Sequence, residues 1–124
     1  MHEKYNDLLS TLKLFEKAWE RYTALYNGHI PRYYQPFITH LIGFLEAHNL
    51  LLVIDIECLE NQDTVAGKEN NWFFSFKNRK GEFIYPINYI RTIYGSKESA
   101  TLAGVIKGFK LLENDFIAIS FSII

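Results

Sequence analysis

Asp55 and Glu57 stand two residues apart in the run Leu50-Leu51-Leu52-Val53-Ile54-Asp55-Ile56-Glu57-Cys58. If this run is a strand, both carboxylates point to the same side. Paired carboxylates hold a hard divalent cation or carry out acid–base chemistry. A metal-dependent nuclease often follows such a strand with an acidic-x-Lys element on the next one. The matching stretch is Ser75-Phe76-Lys77, which lacks the acid. The pattern fits better a solvated strand face with Lys77 as a cross-strand counter-charge. A small metal-dependent hydrolase using Asp55 and Glu57 remains the minor alternative.

The other chemical groups fall to geometry. His40 and His48 are eight positions apart on one helical stretch, which separates them by about 80° and about 12 Å, too far for one ion. His48 suits the edge of a core or a helix C-terminus, where partial negative charge favours a cation. His2 and His29 have no partner at ligand spacing. Cys58 has no neighbouring cysteine or basic residue in sequence and reads as a structural thiol. No glycine-rich phosphate loop exists, because Gly104 and Gly108 lie inside a helical pattern. Ala100, Gly104 and Gly108 instead form a stripe of small residues, turned away from Leu102, Val105, Ile106, Phe109 and Leu112. A neighbouring helix is expected there, the first helix of the same chain before a second copy. No metal and no cofactor are implied.

Binding chemistry is better represented. Ten Phe, eight Tyr and two Trp make up 16% of the 124 residues. Arg21, Tyr22, Tyr26, Arg32, Tyr33 and Tyr34 gather around one connection, and Arg91 and Tyr94 are candidates to join them. Tyr and Arg dominate the hot spots of protein interfaces, and aromatic–basic mixtures also stack on single-stranded nucleic acid. Tyr22 and Tyr26 are explained by a helical seam. Tyr33 and Tyr34 are not, because adjacent residues on a short loop rarely both face a core.

Elements must position these groups. Tyr5, Leu8, Leu12, Phe15, Trp19, Tyr22 and Tyr26 recur at alternating spacings of 3 and 4, which predicts one helix over residues 3–26 with Trp19 buried on the seam. Asn27-Gly28 supplies its left-handed stop and Pro31 the break. Arg32–Gln35 read as a connector and residues 36–48 as a second helix, with Asn49 as its C-cap. Residues 50–58 form a strand with Ile54, Ile56 and Cys58 inward, followed by a polar loop over 60–71. Trp72–Lys77 and Glu82–Tyr85 form a hairpin turning at Asn78-Arg79-Lys80-Gly81, with Gly81 at positive φ. Residues 87–94 are a short helix or irregular. Ser96 caps a helix over 97–112, Glu113-Asn114-Asp115 turns, and Ile117, Ile119, Phe121 and Ile123 alternate with small residues as a last strand. The expected class is α+β in one domain over 1–124, of order α-α-β-β-β-(α)-α-β. A mostly antiparallel sheet of about four strands carries helices on one face.

Composition bounds the setting. The formal charge of −1 gives no drive toward nucleic acid or acidic lipid. Residues 1–62 carry 5 basic against 8 acidic groups, and residues 63–124 carry 8 against 6. One cysteine excludes an internal disulfide framework, and the charged N-terminus lacks a signal-peptide core. No apolar run spans a membrane. A cytoplasmic location is expected. The leading functional expectation is a non-catalytic protein that binds another protein, of the toxin-neutralising immunity or small-inhibitor kind. Arg32, Tyr33 and Tyr34 would be its anchors. Asp55, Glu57, Glu60 and Asp63 would mimic phosphate charge toward a nuclease. The alternative is a nucleic-acid-associated or phage-type accessory protein using Lys77, Arg79, Lys80 and the tyrosine loop. A monomer is expected, with a homodimer through the first helix or the Ala100/Gly104/Gly108 stripe as the variation.

Overall fold

The computed structural model describes residues 2–56, 71–85 and 92–123, with side chains described for 3–56, 71–84 and 92–117. The elements run α1 (His2–Lys13), α2 (Glu16–Leu25), α3 (Tyr34–Ala47), β1 (Leu51–Ile56), β2 (Trp72–Lys77), β3 (Phe83–Tyr85) and α4 (Lys97–Ile123). The class is α+β. Among the described residues the sheet has three antiparallel strands in the order β1-β2-β3, not four. Contacts group the chain into two compact units, Met1–Leu45 with Val105–Ile124, and Glu46–Gly104. No helix among the described residues is long and apolar enough to cross a membrane.

In the first unit the expected single helix over 3–26 is two. The chain breaks at Leu14, which is 78% exposed, and Phe15, whose backbone sits at φ −90, ψ 77. The seam survives the break. Leu8, Leu12 and Tyr22 are buried, while Tyr5, Phe15, Trp19 and Tyr26 are only partly so, and Trp19 is less buried than its place on the seam predicts. α2 stops where the sequence demands. Asn27 N–H bonds to Ala24 C=O at 3.3 Å and Gly28 N–H to Thr23 C=O at 2.8 Å, a Schellman closure with φ 53 and 75 at the two residues. α3 begins at Tyr34, two residues before Pro36, so Tyr34 and Gln35 belong to the helix rather than the connector. It buries Phe37, Ile38, Leu41, Phe44 and Leu45.

The last segment differs from expectation. The chain does not turn at Glu113–Asp115. α4 continues to Ile123, a helix of 27 residues. No Gly or Pro lies beyond Gly108 to stop it, and extending an established helix adds one bond per residue fixed. Period-two alternation over seven residues does not outweigh that propagation.

In the second unit Asn49 ends α3 at φ 68, a left-handed cap. β1 pairs with β2 from Leu51↔Lys77 to Ile56↔Trp72. Pairing of β2 with β3 steps from Phe76↔Tyr85 to Lys77↔Phe83, which leaves Ile84 as the extra residue of a bulge. Tyr94 bridges Trp72, with Tyr94 N–H to Trp72 C=O at 2.8 Å and the return bond at 3.2 Å. Ser96 caps α4 through Ser99 N–H to its Oγ at 3.1 Å. The small-residue stripe is not an open surface. A Cβ on Gly104 would lie 2.5 Å from Leu52 and 3.3 Å from Phe74, so α4 lies directly on β1 and β2 there. In the first unit a Cβ on Gly108 would lie 2.6 Å from Leu45 of α3. Leu52 and Phe74 at Gly104, and Leu45 at Gly108, stand where the first helix was expected to fill the stripe. Its predicted opposite face is only in part the core: Val105, Phe109 and Leu112 are buried, Leu102 and Ile106 partly exposed.

The hairpin turn is as expected, with Gly81 N–H to Asn78 C=O at 3.0 Å and Gly81 at φ 82. Nothing lies within 4 Å of where its Cβ would stand. Strain from Gly81→Val would therefore come from the backbone alone. That variant is expected to be about 1 kcal/mol or more less stable in a denaturant titration, and a midpoint equal to the parent's would place the strain elsewhere.

Candidate functional site

Tyr22 is fully buried at the centre of the first unit. Its ring lies 5.4 Å from Trp19 and Tyr26, 5.2 Å from Phe44, 6.1 Å from Phe109 and 6.4 Å from Phe37. A phenol in such surroundings needs a partner for its hydroxyl. His40 Nδ1 provides it at 2.6 Å. Burial holds the Tyr22 phenol well above its ordinary pKa of 10, with the neighbouring phenols of Tyr26 and Tyr5 adding to the effect. The phenol thus keeps its proton at neutral pH and shares a hydrogen bond with Nδ1, as donor or acceptor according to the imidazole tautomer. The Tyr26 ring covers the imidazole at 4.0 Å between centroids. This pair holds structure rather than chemistry, because Tyr22 offers a substrate no access. Among the described residues no three His, Cys, Asp or Glu side chains gather as a metal site.

The Arg32–Tyr34 connection is built differently. Tyr5 O–H donates to Pro31 C=O at 2.9 Å, and Phe37 N–H donates to Tyr33 C=O at 2.9 Å. The backbone is thereby tied on both sides of Arg32. Tyr33 is nevertheless 74% exposed, and Arg32 is exposed beside it. Tyr34 is partly buried, with Lys4 Nζ 5.9 Å from its ring centroid. Arg21 lies 6.0 Å from the Phe116 ring, and Tyr22 and Tyr26 belong to the core cluster.

Asp55 is exposed on β1, and its Oδ1 accepts the N–H of Ile56 at 2.8 Å. Its cross-strand partner is Phe73, whereas Lys77 sits at the other end of the pairing opposite Leu51. Lys77 is not the counter-charge. Its Nζ lies 4.7 Å from the Phe83 ring. Glu57, Cys58, Glu60, Asp63, the loop through residue 70, Arg91 and most of 87–94 lie outside the described residues, as does the His2 side chain.

The basic hairpin also has structural duties. Arg79 N–H donates to Asn49 Oδ1 at 2.8 Å and its Nη2 to Ala47 C=O at 3.0 Å. The guanidinium thus satisfies a carbonyl at the end of α3, where a cation is favoured. An open hollow of about 580 Å³ lies between Ala47, Asn49, Asn78, Arg79, Lys80 and Glu82.

Two residues of the molecule's architecture escape local sequence reasoning. His40 as the hydrogen-bond partner of Tyr22 is legible only once α2 and α3 are known to pack. Glu113 is the other: its Oε1 accepts Lys17 N–H at 3.0 Å and its Oε2 accepts Ala18 N–H at 2.9 Å.

Tyr22→Phe tests the buried phenol. At pH 7 the variant should lose about 1 kcal/mol, the net worth of one hydrogen bond. Above about pH 10 the unfolded parent releases the Tyr22 proton while the folded parent retains it. The unfolded state then binds fewer protons, so the parent's stability falls as pH rises. The variant lacks this group, so the two stability curves should converge between pH 10 and 11.5 in denaturant titrations; parallel curves would refute the protonated, buried phenol. No known protein family, curated protein or solved structure matches this chain.

Proposed function

We propose that this protein binds another protein without catalysis, in the manner of a toxin-neutralising immunity protein or small inhibitor, and that Tyr33 is its anchor. One observation carries this reading. A large aromatic side chain stands 74% exposed on a backbone fixed by hydrogen bonds on both sides. A rigid tyrosine offers contact area at low entropic cost, and arginine is its usual companion at hot spots. Arg32 supplies that companion. Exposed Asp55 supports the mimicry of phosphate toward a basic partner such as a nuclease domain, with Glu57, Glu60 and Asp63 extending the acidic run in sequence. A reducing, cytoplasmic setting suits a chain with one cysteine.

Affinity capture with the purified protein from lysates of its host and of competing cells should recover a stoichiometric protein partner. Tyr33→Ala should weaken that complex by about 2 kcal/mol or more, while its thermal unfolding stays within about 0.5 kcal/mol of the parent because the side chain is exposed. Asp55→Asn should slow association with a basic partner and flatten its salt dependence. Equal affinity of the parent and Tyr33→Ala for the recovered partner would remove Tyr33 as the anchor. Failure of the parent to recover any partner would remove the function itself.

A further inference from the structure

Residues 2–25 hold no Gly or Pro and carry an unbroken helical seam, yet the helix stops at Lys13 and restarts at Glu16. In one continuous helix, Lys17 N–H would bond to Lys13 C=O and Ala18 N–H to Leu14 C=O. Both donate instead to the two carboxylate oxygens of Glu113, at 3.0 and 2.9 Å. Phe15, at the N-cap position, offers no side-chain bond of its own. The corner is sharp. The Tyr5 ring lies 5.1 Å and the Tyr22 ring 6.4 Å from the same Phe37 ring, whereas a straight helix would hold their Cα atoms about 26 Å apart. At the corner Leu14 is 78% exposed, while Phe15 is partly buried.

Straightening this corner would restore the helical bonds but withdraw Leu8 and Leu12, which are 3% and 0% exposed. For a lone chain that lost burial outweighs the bonds gained. A second copy changes the balance, because it presents the identical surface for α1. We propose that α1 is an exchangeable arm, hinged at Leu14–Phe15 and latched by Glu113, whose partner is a second copy of this chain. With the latch removed, α1 and α2 fuse and each α1 docks where the other copy's α1 was.

The test compares the parent with Glu113→Gln, each refolded at high concentration and sized by chromatography with light scattering. Spin labels on Asn6→Cys and Glu20→Cys, in a Cys58→Ser background and diluted with unlabelled chain, report the corner. A fused helix sets these Cα atoms about 21 Å apart, and the corner brings them closer. Glu113→Gln should raise the dimer fraction about tenfold or more, the equivalent of one lost charge-assisted bond, and its dimer should show the long distance. Adding Glu16→Pro should restore the monomer, because proline fits the first turn of α2 and is barred from the middle of a fused helix. A Leu14→Ala, Phe15→Ala variant keeps the latch and raises helix propensity at the hinge. It should also form the long-distance dimer, and it decides the matter if Glu113→Gln does not fold. A monomer at the short distance, or a dimer that keeps the short distance, overturns the proposal.

Discussion

A hydroxyl buried among aromatic rings sets the terms for the first unit. Tyr22 has no exposed surface, and its oxygen must be satisfied inside. Its partner is Nδ1 of His40, 2.6 Å away, and this bond fixes the approach of α2 to α3. Phe37, Phe44 and Phe109 then pack around a ring whose position is already determined, at tilted and edge-on angles that suit aromatic quadrupoles. Tyr5 reaches the same cluster through Phe37, so α1 is drawn to the core that α2 and α3 define.

Stops and turns were legible in the sequence because their causes are local. Asn27-Gly28, Asn49, Asn78–Gly81 and Ser96 each act on backbone within a few residues, and each does what its residue type implies. Continuity was less legible. The seam from Tyr5 to Tyr26 has helical spacing throughout, and nothing near Leu14 marks a break. The residue that stabilises it lies 95 positions downstream of Ala18. The end of α4 shows the converse, since an alternating pattern suggested a strand where helix propagation prevailed.

The same division runs through the candidate site. The adjacent tyrosines pointed to at least one ring outside the core, and Tyr33 is that ring. Which of the two it would be depends on where α3 starts, and the helix begins two residues before Pro36. Pairing Lys77 with the acidic strand face failed for a reason of register. The β1–β2 alignment puts Asp55 opposite Phe73 and Lys77 opposite Leu51, and no rule of composition fixes that alignment. The glycine stripe was recognisable as a close approach, but its neighbours Leu52, Phe74 and Leu45 could be named only from tertiary packing.

The distance along the chain between α2 and its cap has a meaning for biosynthesis. Ribosomes add about 5–20 residues each second, and Ala18 leaves the peptidyl-transferase centre 95 residues before Glu113 is made. For a period on the order of 5–20 s the first N–H groups of α2 have only water, or the preceding turn, as partners. Over that time only contacts within the N-terminal segment, such as those of Tyr5 with Pro31 and Phe37, hold the bend. Glu113 is thus the last of these partners to be made, and the speed of translation sets how long the bend goes without its cap.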